Sequence, residues 1–256
     1  MATRKFCAVD FAQEQVPWLY SSVNVATTGT NDNTTARLRT QQGHLFEVRY
    51  EQDNADITFV KDAQGWIIPN DNTNNEGIEI TQGIQATTTP MSFTVATDRA
   101  FFLDVVYDIP AVADYDVAFV GFRTLAAYAD AINDAAVTTL GAAYTNMYGV
   151  NVNQGDLFEV IATSDASIAD TVTDTTVNWA AGEQNRIRVN VTAAGVGSIQ
   201  YTVAGNGTAT STLTTYGTTR QLVSGQVLVP SLIFCKDDTA AADTPPILVH
   251  YRCGLL

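Results

Sequence analysis

Positive charge is scarce in this sequence. Lysine occurs only at Lys5, Lys61 and Lys236, and 13 basic residues stand against 27 acidic ones, for a formal net charge of −14. Phosphate contact draws on clustered Arg and Lys, so this balance argues against nucleic acid and anionic membrane surfaces as partners. Cysteine is limited to Cys7, Cys235 and Cys253, an odd set with neither metal-ligand spacing nor a disulfide framework. Each is expected as a small buried apolar group. No apolar run approaches the ~20 residues of a membrane span, and MATRKFCAVDF lacks the apolar core of a secretory signal. Synthesis and folding in a reducing cytoplasm are the expectation.

Recognisable chemistry is equally thin. The two histidines, His44 and His250, each sit among apolar neighbours in a strand-like segment and read as core or edge residues. No G-x-S-x-G, HExxH, P-loop or GxGxxG stands in a fitting context, and no base is recognisable beside a cysteine. Asp104 with Asp108, and Glu47 with Glu51, are carboxylate pairs four residues apart. On a strand that spacing is about 13 Å, beyond the roughly 5–9.5 Å of either glycosidase geometry. They read as wet strand faces. The expectation is a non-enzyme with no catalytic residues and no cofactor. Asn31-Asp32-Asn33, Asn70–Glu76 and Asp130–Asp134 are rich in oxygen but lack the D-x-[DN]-x-[DN]-G pattern, so turn chemistry explains them and no metal is expected. Trp18, Trp66, Tyr144, Tyr148 and Tyr216 are aromatics that either stack on a sugar or serve as core and interface residues.

What the chain does have is alternation. In Trp179–Gly207, Ile187, Val189 and Val191 fall on one face of a strand, with Arg186, Arg188 and Asn190 on the other. After a glycine turn, Ile199, Tyr201 and Val203 oppose Ser198, Gln200 and Thr202. Period-2 patterning of this kind marks antiparallel strands with one buried and one wet face. Phe101, Leu103, Val105, Tyr107 and Ile109 share another face, and Val117–Phe122 is apolar on both sides, as a central strand is. His44–Glu51 and Ile57–Val60 read as a strand pair, Thr124–Ala136 as a short helix, and Pro230 as a bulge or edge position. About a dozen short strands with Gly/Asn/Asp turns and no βαβ rhythm predict an all-β antiparallel sandwich.

Three motifs, FFLDVVYDI, DVAFVGFRT with its Ala-rich sequel, and the W…RIRVNV…GSIQYTV hairpin, resemble the concanavalin-like (laminin-G-like) jelly roll, most clearly over residues 97–256. Their order is similar to that in tailed-phage virion proteins that decorate or cement capsids. The resemblance implies a virion location, contacts with a major capsid protein or other virion proteins, and a homo-oligomer. The alternative it leaves is a lectin-like carbohydrate-binding module or receptor-binding fibre component. Residues 1–40 read as an N-terminal arm ahead of a sandwich over 41–256, with Phe6, Phe11, Trp18, Leu19 and Tyr20 as candidate interface anchors.

Overall fold

The computed structural model describes residues 6–11, 18–23, 32–40, 44–52, 60–61, 63–68, 77–82, 91–110, 115–126, 144, 146–152, 157–162, 171–179, 182–202, 212–236 and 245–256. These residues form two antiparallel sheets and no helix, the all-β sandwich that the alternation predicts.

Sheet A has at its centre β9 (Phe101–Asp108), flanked by β14 (Asn185–Val191) and β19 (Ile247–Leu255). Beyond β14 lie β15 (Val196–Tyr201) and then the short β16 (Thr214–Thr215) and β17 (Arg220–Gln221). The other edge of β19 pairs with β1 (Phe6–Asp10) and, further along, with β6 (Trp66–Ile67), which pairs with β5 (Val60–Lys61). Sheet B runs β13 (Thr171–Asn178), β12 (Leu157–Ala162), β11 (Tyr148–Val152), β10 (Tyr115–Thr124), β18 (Val227–Lys236), β7 (Gly77–Thr81), β4 (Leu45–Gln52), β3 (Asp32–Arg39) and β2 (Trp18–Val23), with β8 (Phe93–Thr94) pairing to β18.

The core lies between the sheets, where alternate residues meet. Leu103, Val105, Ile187, Val189 and Ile199 from sheet A, and Val120, Phe122, Val150 and Leu232 from sheet B, are fully buried. Aromatic contacts tie the layers together. Phe101 of β9 lies 5.2 Å from Phe122 of β10 and stacks on Phe93 at 4.7 Å, while Tyr107 packs on Trp179 at 4.7 Å and Phe234 at 6.1 Å. Such rings contribute beyond their buried area through offset and edge-on geometry.

Several expectations need correction. The strand at residues 44–51 is β4, but its neighbours are β3 and β7, and Val60 belongs to sheet A. Local alternation gives a strand but not its partner. Pro230 lies inside β18 in the middle of sheet B. It is tolerated because β18 changes partner there, pairing with β8 at Val227 and Leu228 and with β7 from Ser231 onward. A residue without an N–H fits such a gap in the ladder. Within the first 40 residues, β1 belongs to sheet A and β2 and β3 to sheet B. Phe11 is fully buried, 4.1 Å from Trp66 and 5.9 Å from Phe46, so it is a core residue and not an interface anchor. Trp18, Leu19 and Tyr20 lie in β2, and their side chains fall outside the described residues. The helix expected over Thr124–Ala136 also lies outside them beyond Ala126, as do the oxygen-rich stretches at 70–76 and 130–134.

Candidate functional site

The outer faces of the two sheets differ sharply. On sheet B, Val117, Phe119, Val229, Ile233 and Cys235 are fully buried. Gly121 of β10 pairs directly with Gly149 of β11, and the Phe119 ring lies over both. Glu79 and Arg123 are buried on the same face as an ion pair of 2.5 Å, with Tyr144 and Ser231 donating to the two Glu79 oxygens at 2.6 and 2.7 Å. The Arg123 guanidinium stacks on the Tyr144 ring at 4.0 Å. Among the described residues, this network pairs its two charges with each other away from solvent.

The outer face of sheet A carries a polar set in which Arg252, Arg188, Asn190 and Gln200 are half-buried while Asp104, Asp108 and Arg186 are buried. Because β19, β9, β14, β15 and β16 lie side by side, their registers align Arg252, Asp104, Arg188, Gln200 and Thr215 as one row. Five strands at about 4.8 Å spacing make that row roughly 19 Å long. A second row sets Phe6 of β1 opposite Gly254, Phe102, Asn190 and Ser198. The third places Asp10 opposite His250, followed by Val106 and Arg186.

Asp104 is the hub. Its side chain is wholly buried, yet it lies on the outward face. Arg186 donates to both carboxylate oxygens, Nε to Oδ1 at 2.8 Å and Nη2 to Oδ2 at 2.6 Å. Arg252 Nη2 donates to the same Oδ2 at 2.6 Å, and Arg188 Nη1 lies 3.7 Å from it. Burial pushes the Asp104 carboxyl up, but hydrogen bonds from Arg186 and Arg252, and then their charges, outweigh it and hold the group below its usual value. Arg188 is held below its ordinary value by partial burial, an effect that Asp104 opposes and the like charges of Arg252 and Arg186 reinforce. From Arg188 the bonds run on across the sheet. Its Nε donates to Asn190 Oδ1 at 2.9 Å, Asn190 Nδ2 to Gln200 Oε1 at 3.0 Å, and Gln200 Nε2 to Thr215 Oγ1 at 3.3 Å.

Among the described residues of this face, Arg252 Nε and His250 Nε2 are buried without a hydrogen-bond partner. Burial holds His250 below its ordinary value, with the Arg252 charge acting the same way and Asp104 and Asp10 opposing it. The imidazole is therefore neutral at pH 7 and able to donate and accept. Phe6 stands 52% exposed at the end of the second row, separated from Phe102 by Gly254, which has no side chain to fill the space. Arg188 lies 4.5 Å over the Phe102 ring.

Sequence reasoning places Arg186, Arg188 and Asn190 on the wet side of their strand, and they are on the outer face. It misses the site itself. Asp104 is not a wet carboxylate but the buried centre of three guanidiniums. Asp108 is buried too, and Glu47 is buried in β4 while the side chain of Glu51 lies outside the described residues. His250 sits beside the cluster, whereas His44 lies just before β4 of the other sheet. Trp66, Tyr144 and Tyr148, considered as sugar platforms, are buried at 4%, 1% and 0% exposure, and Tyr216 packs against the core. Among the described residues, the exposed aromatic on the polar face is Phe6. All three cysteines are buried, with Cys7 and Cys253 opposite each other in the core. Burial pushes the Cys7 thiol up to about 12 despite a hydrogen bond with Gln82, and raises Cys253 as well. Such thiols are poor nucleophiles. Among the described residues no group of three or more His, Cys, Asp or Glu side chains converges as a metal would need.

No family model matches the sequence, and no curated protein does. Solved structures do match by shape. One is arcelin-5, a lectin-like defense protein from Phaseolus vulgaris, at 8% identity and a TM-score of 0.48, covering 97% of each chain. Another is the exoplasmic/lumenal domain of VIP36 with Ca2+ and Man3GlcNAc bound, at 6% identity and a TM-score of 0.48 over 82% of this chain and 83% of that one. A third is an alginate lyase from Pseudomonas aeruginosa, at 12% identity and a TM-score of 0.48 over 79% of this chain and 87% of that one. The expectation that the chain is not an enzyme is corrected by this last match, because a polysaccharide lyase stands beside lectins among the similar structures. At these identities the likenesses concern the fold of the sandwich.

Proposed function

We propose that this chain is a carbohydrate-binding β-sandwich whose binding surface is the outer face of sheet A. One observation carries the reading: Arg252, Arg188 and Gln200 lie in one register row on β19, β14 and β15, with Asn190 and exposed Phe6 in the neighbouring row of the same face. Sugar rings present hydroxyls along their edges and C–H groups on their faces. A row of guanidinium and amide groups, already oriented by hydrogen bonds to one another, meets the edges at low entropic cost. An aromatic ring meets the faces. The roughly 19 Å of the row matches an extended chain of several sugar units. A sandwich of this kind hosts many unrelated functions, so the reading rests on the side chains it carries.

Within the virion setting that the sequence motifs resemble, such a surface would make the chain a receptor-binding component and not a cement protein. A glycan microarray followed by titration calorimetry tests the reading, with the same samples assayed for cleavage of the polymer. Phe6→Ala and Gln200→Ala should each weaken binding about tenfold with the fold intact. Binding that is unaffected by both substitutions would refute this surface as the site.

A further inference from the structure

Asp104 has more positive charge around it than its neutralisation requires. Arg186 alone meets both carboxylate oxygens, in the paired geometry that makes Arg–carboxylate contacts strong. Arg252 and Arg188 are then surplus, and both are more open to solvent, with side chains 31% and 23% exposed against 7% for Arg186. Among the described residues, three guanidiniums gather on one carboxylate, an excess of positive charge at this point of a chain whose formal net charge is −14. Asp10 and Asp108 are also on this face, but the strand geometry puts each roughly 12–13 Å from the hub, about three times the reach of an ion pair. Like charges drawn together at a strand face cost free energy unless a further anion is brought to them. Arg252 Nε, buried and without an acceptor, is one donor such an anion would satisfy.

Resting on the carbohydrate reading above, we propose that the ligand is an acidic polysaccharide, and that Arg188 and Arg252 together hold one of its uronate carboxylates beside Asp104. A guanidinium is a planar fork that matches a carboxylate edge, and two such forks on either side of Asp104 define a single acidic subsite. Gln200, Asn190 and Phe6 then meet the neighbouring sugar units along the two rows. A uronate polymer bears one charge per sugar, set apart along the chain, which suits a patch surrounded by an acidic surface. Nucleic acid, with one charge per about 1.7 Å of duplex, would carry many further phosphates onto that acidic surface.

The test uses the full chain and a set of uronic acid polymers: polymannuronate, polyguluronate, polygalacturonate and hyaluronan, each paired with its carboxyl-reduced, neutral form. At least one acidic polymer should bind, and its reduced form should bind tenfold or more weakly. Arg188→Gln should lower affinity for the acidic form by about tenfold and leave the melting temperature nearly unchanged, because Asp104 keeps Arg186 and Arg252. Arg188→Lys, which keeps the charge and loses the fork, should recover only part of the affinity. Equal binding of the neutral and acidic forms, insensitive to Arg188→Gln but reduced by Phe6→Ala, would overturn the carboxylate subsite and leave carbohydrate binding standing. Failure of every acidic and neutral polymer to bind would overturn both. Equal, Arg188-dependent capture of a DNA duplex would show a site for any polyanion and overturn the assignment to uronate.

Discussion

Substituting Asp104 by asparagine separates the structural role of the arginine cluster from any role in binding. The side chain is wholly buried, and Arg186, 7% exposed, is held by two hydrogen bonds to it. An amide in its place would keep the shape and one acceptor but remove the charge that three guanidiniums share. Removing one partner of a buried ion pair leaves an uncompensated charge and costs about 3–5 kcal/mol. For a domain of this size each kcal/mol lowers the melting temperature by roughly 2–4 °C, so Asp104→Asn should melt about 6–20 °C lower. Arg252→Gln removes a partner that is 31% exposed and leaves Asp104 bound by Arg186. It should cost roughly 1 kcal/mol, in the range of partly solvated pairs. Urea denaturation of the parent and the two variants measures both numbers. If Asp104→Asn costs no more than Arg252→Gln, Asp104 is not the buried anchor of the cluster and the reasoning fails.

Phe11→Ala should cost about 3–5 kcal/mol as a fully buried ring is lost from contact with Trp66 and Phe46, whereas Phe6→Ala should change stability by less than about 0.5 kcal/mol, both read by denaturant titration. Gly121→Val should destabilise by roughly 3 kcal/mol or more, because a Cβ there meets the Tyr148 carbonyl, the Gly149 backbone and the Phe119 ring at once; a variant that melts like the parent would contradict the close glycine pairing. His250 is held below its ordinary value in the folded chain, so the unfolded chain takes up the proton first as pH falls through about 6.5. Its contribution to stability is therefore full above that pH and declines below it, and His250→Asn should flatten the slope there. Asp104, also lowered, contributes stability that is present above about pH 3.8 and lost as pH falls through its folded value, a second decline that Asp104→Asn should remove.

The strands and their faces were legible in the sequence because burial imposes a period of two. Ile187, Val189 and Val191 could only be inward if Arg186, Arg188 and Asn190 were outward, and they are. Alternation carries no information about which strand lies beside which. Arg186 and Arg252 meet Asp104 from 82 and 148 positions away, so the cluster exists only once β9 is placed between β14 and β19. Asp104 itself misled, since an acid between apolar residues in FFLDVVYDI is read as wet when no cation is visible nearby. The aromatics misled for the opposite reason. Trp66 comes from a segment with little regular alternation, yet it closes one end of the core together with Phe11, Phe46 and Tyr251. Phe6 is exposed because it alternates with Cys7, Val9 and Phe11, whose side chains face inward. That pattern was present in the sequence and could have set Phe6 apart from Phe11.

Backbone NMR of the isotopically labelled chain, titrated with the oligosaccharide that binds best, tests the central claim most directly. Ligand contact with the outer face of sheet A predicts the largest shifts at Phe102, Arg188, Asn190, Gln200 and Arg252, together with a new environment for the His250 imidazole. Shifts confined to the loops between strands, or to the strands of sheet B, would contradict it.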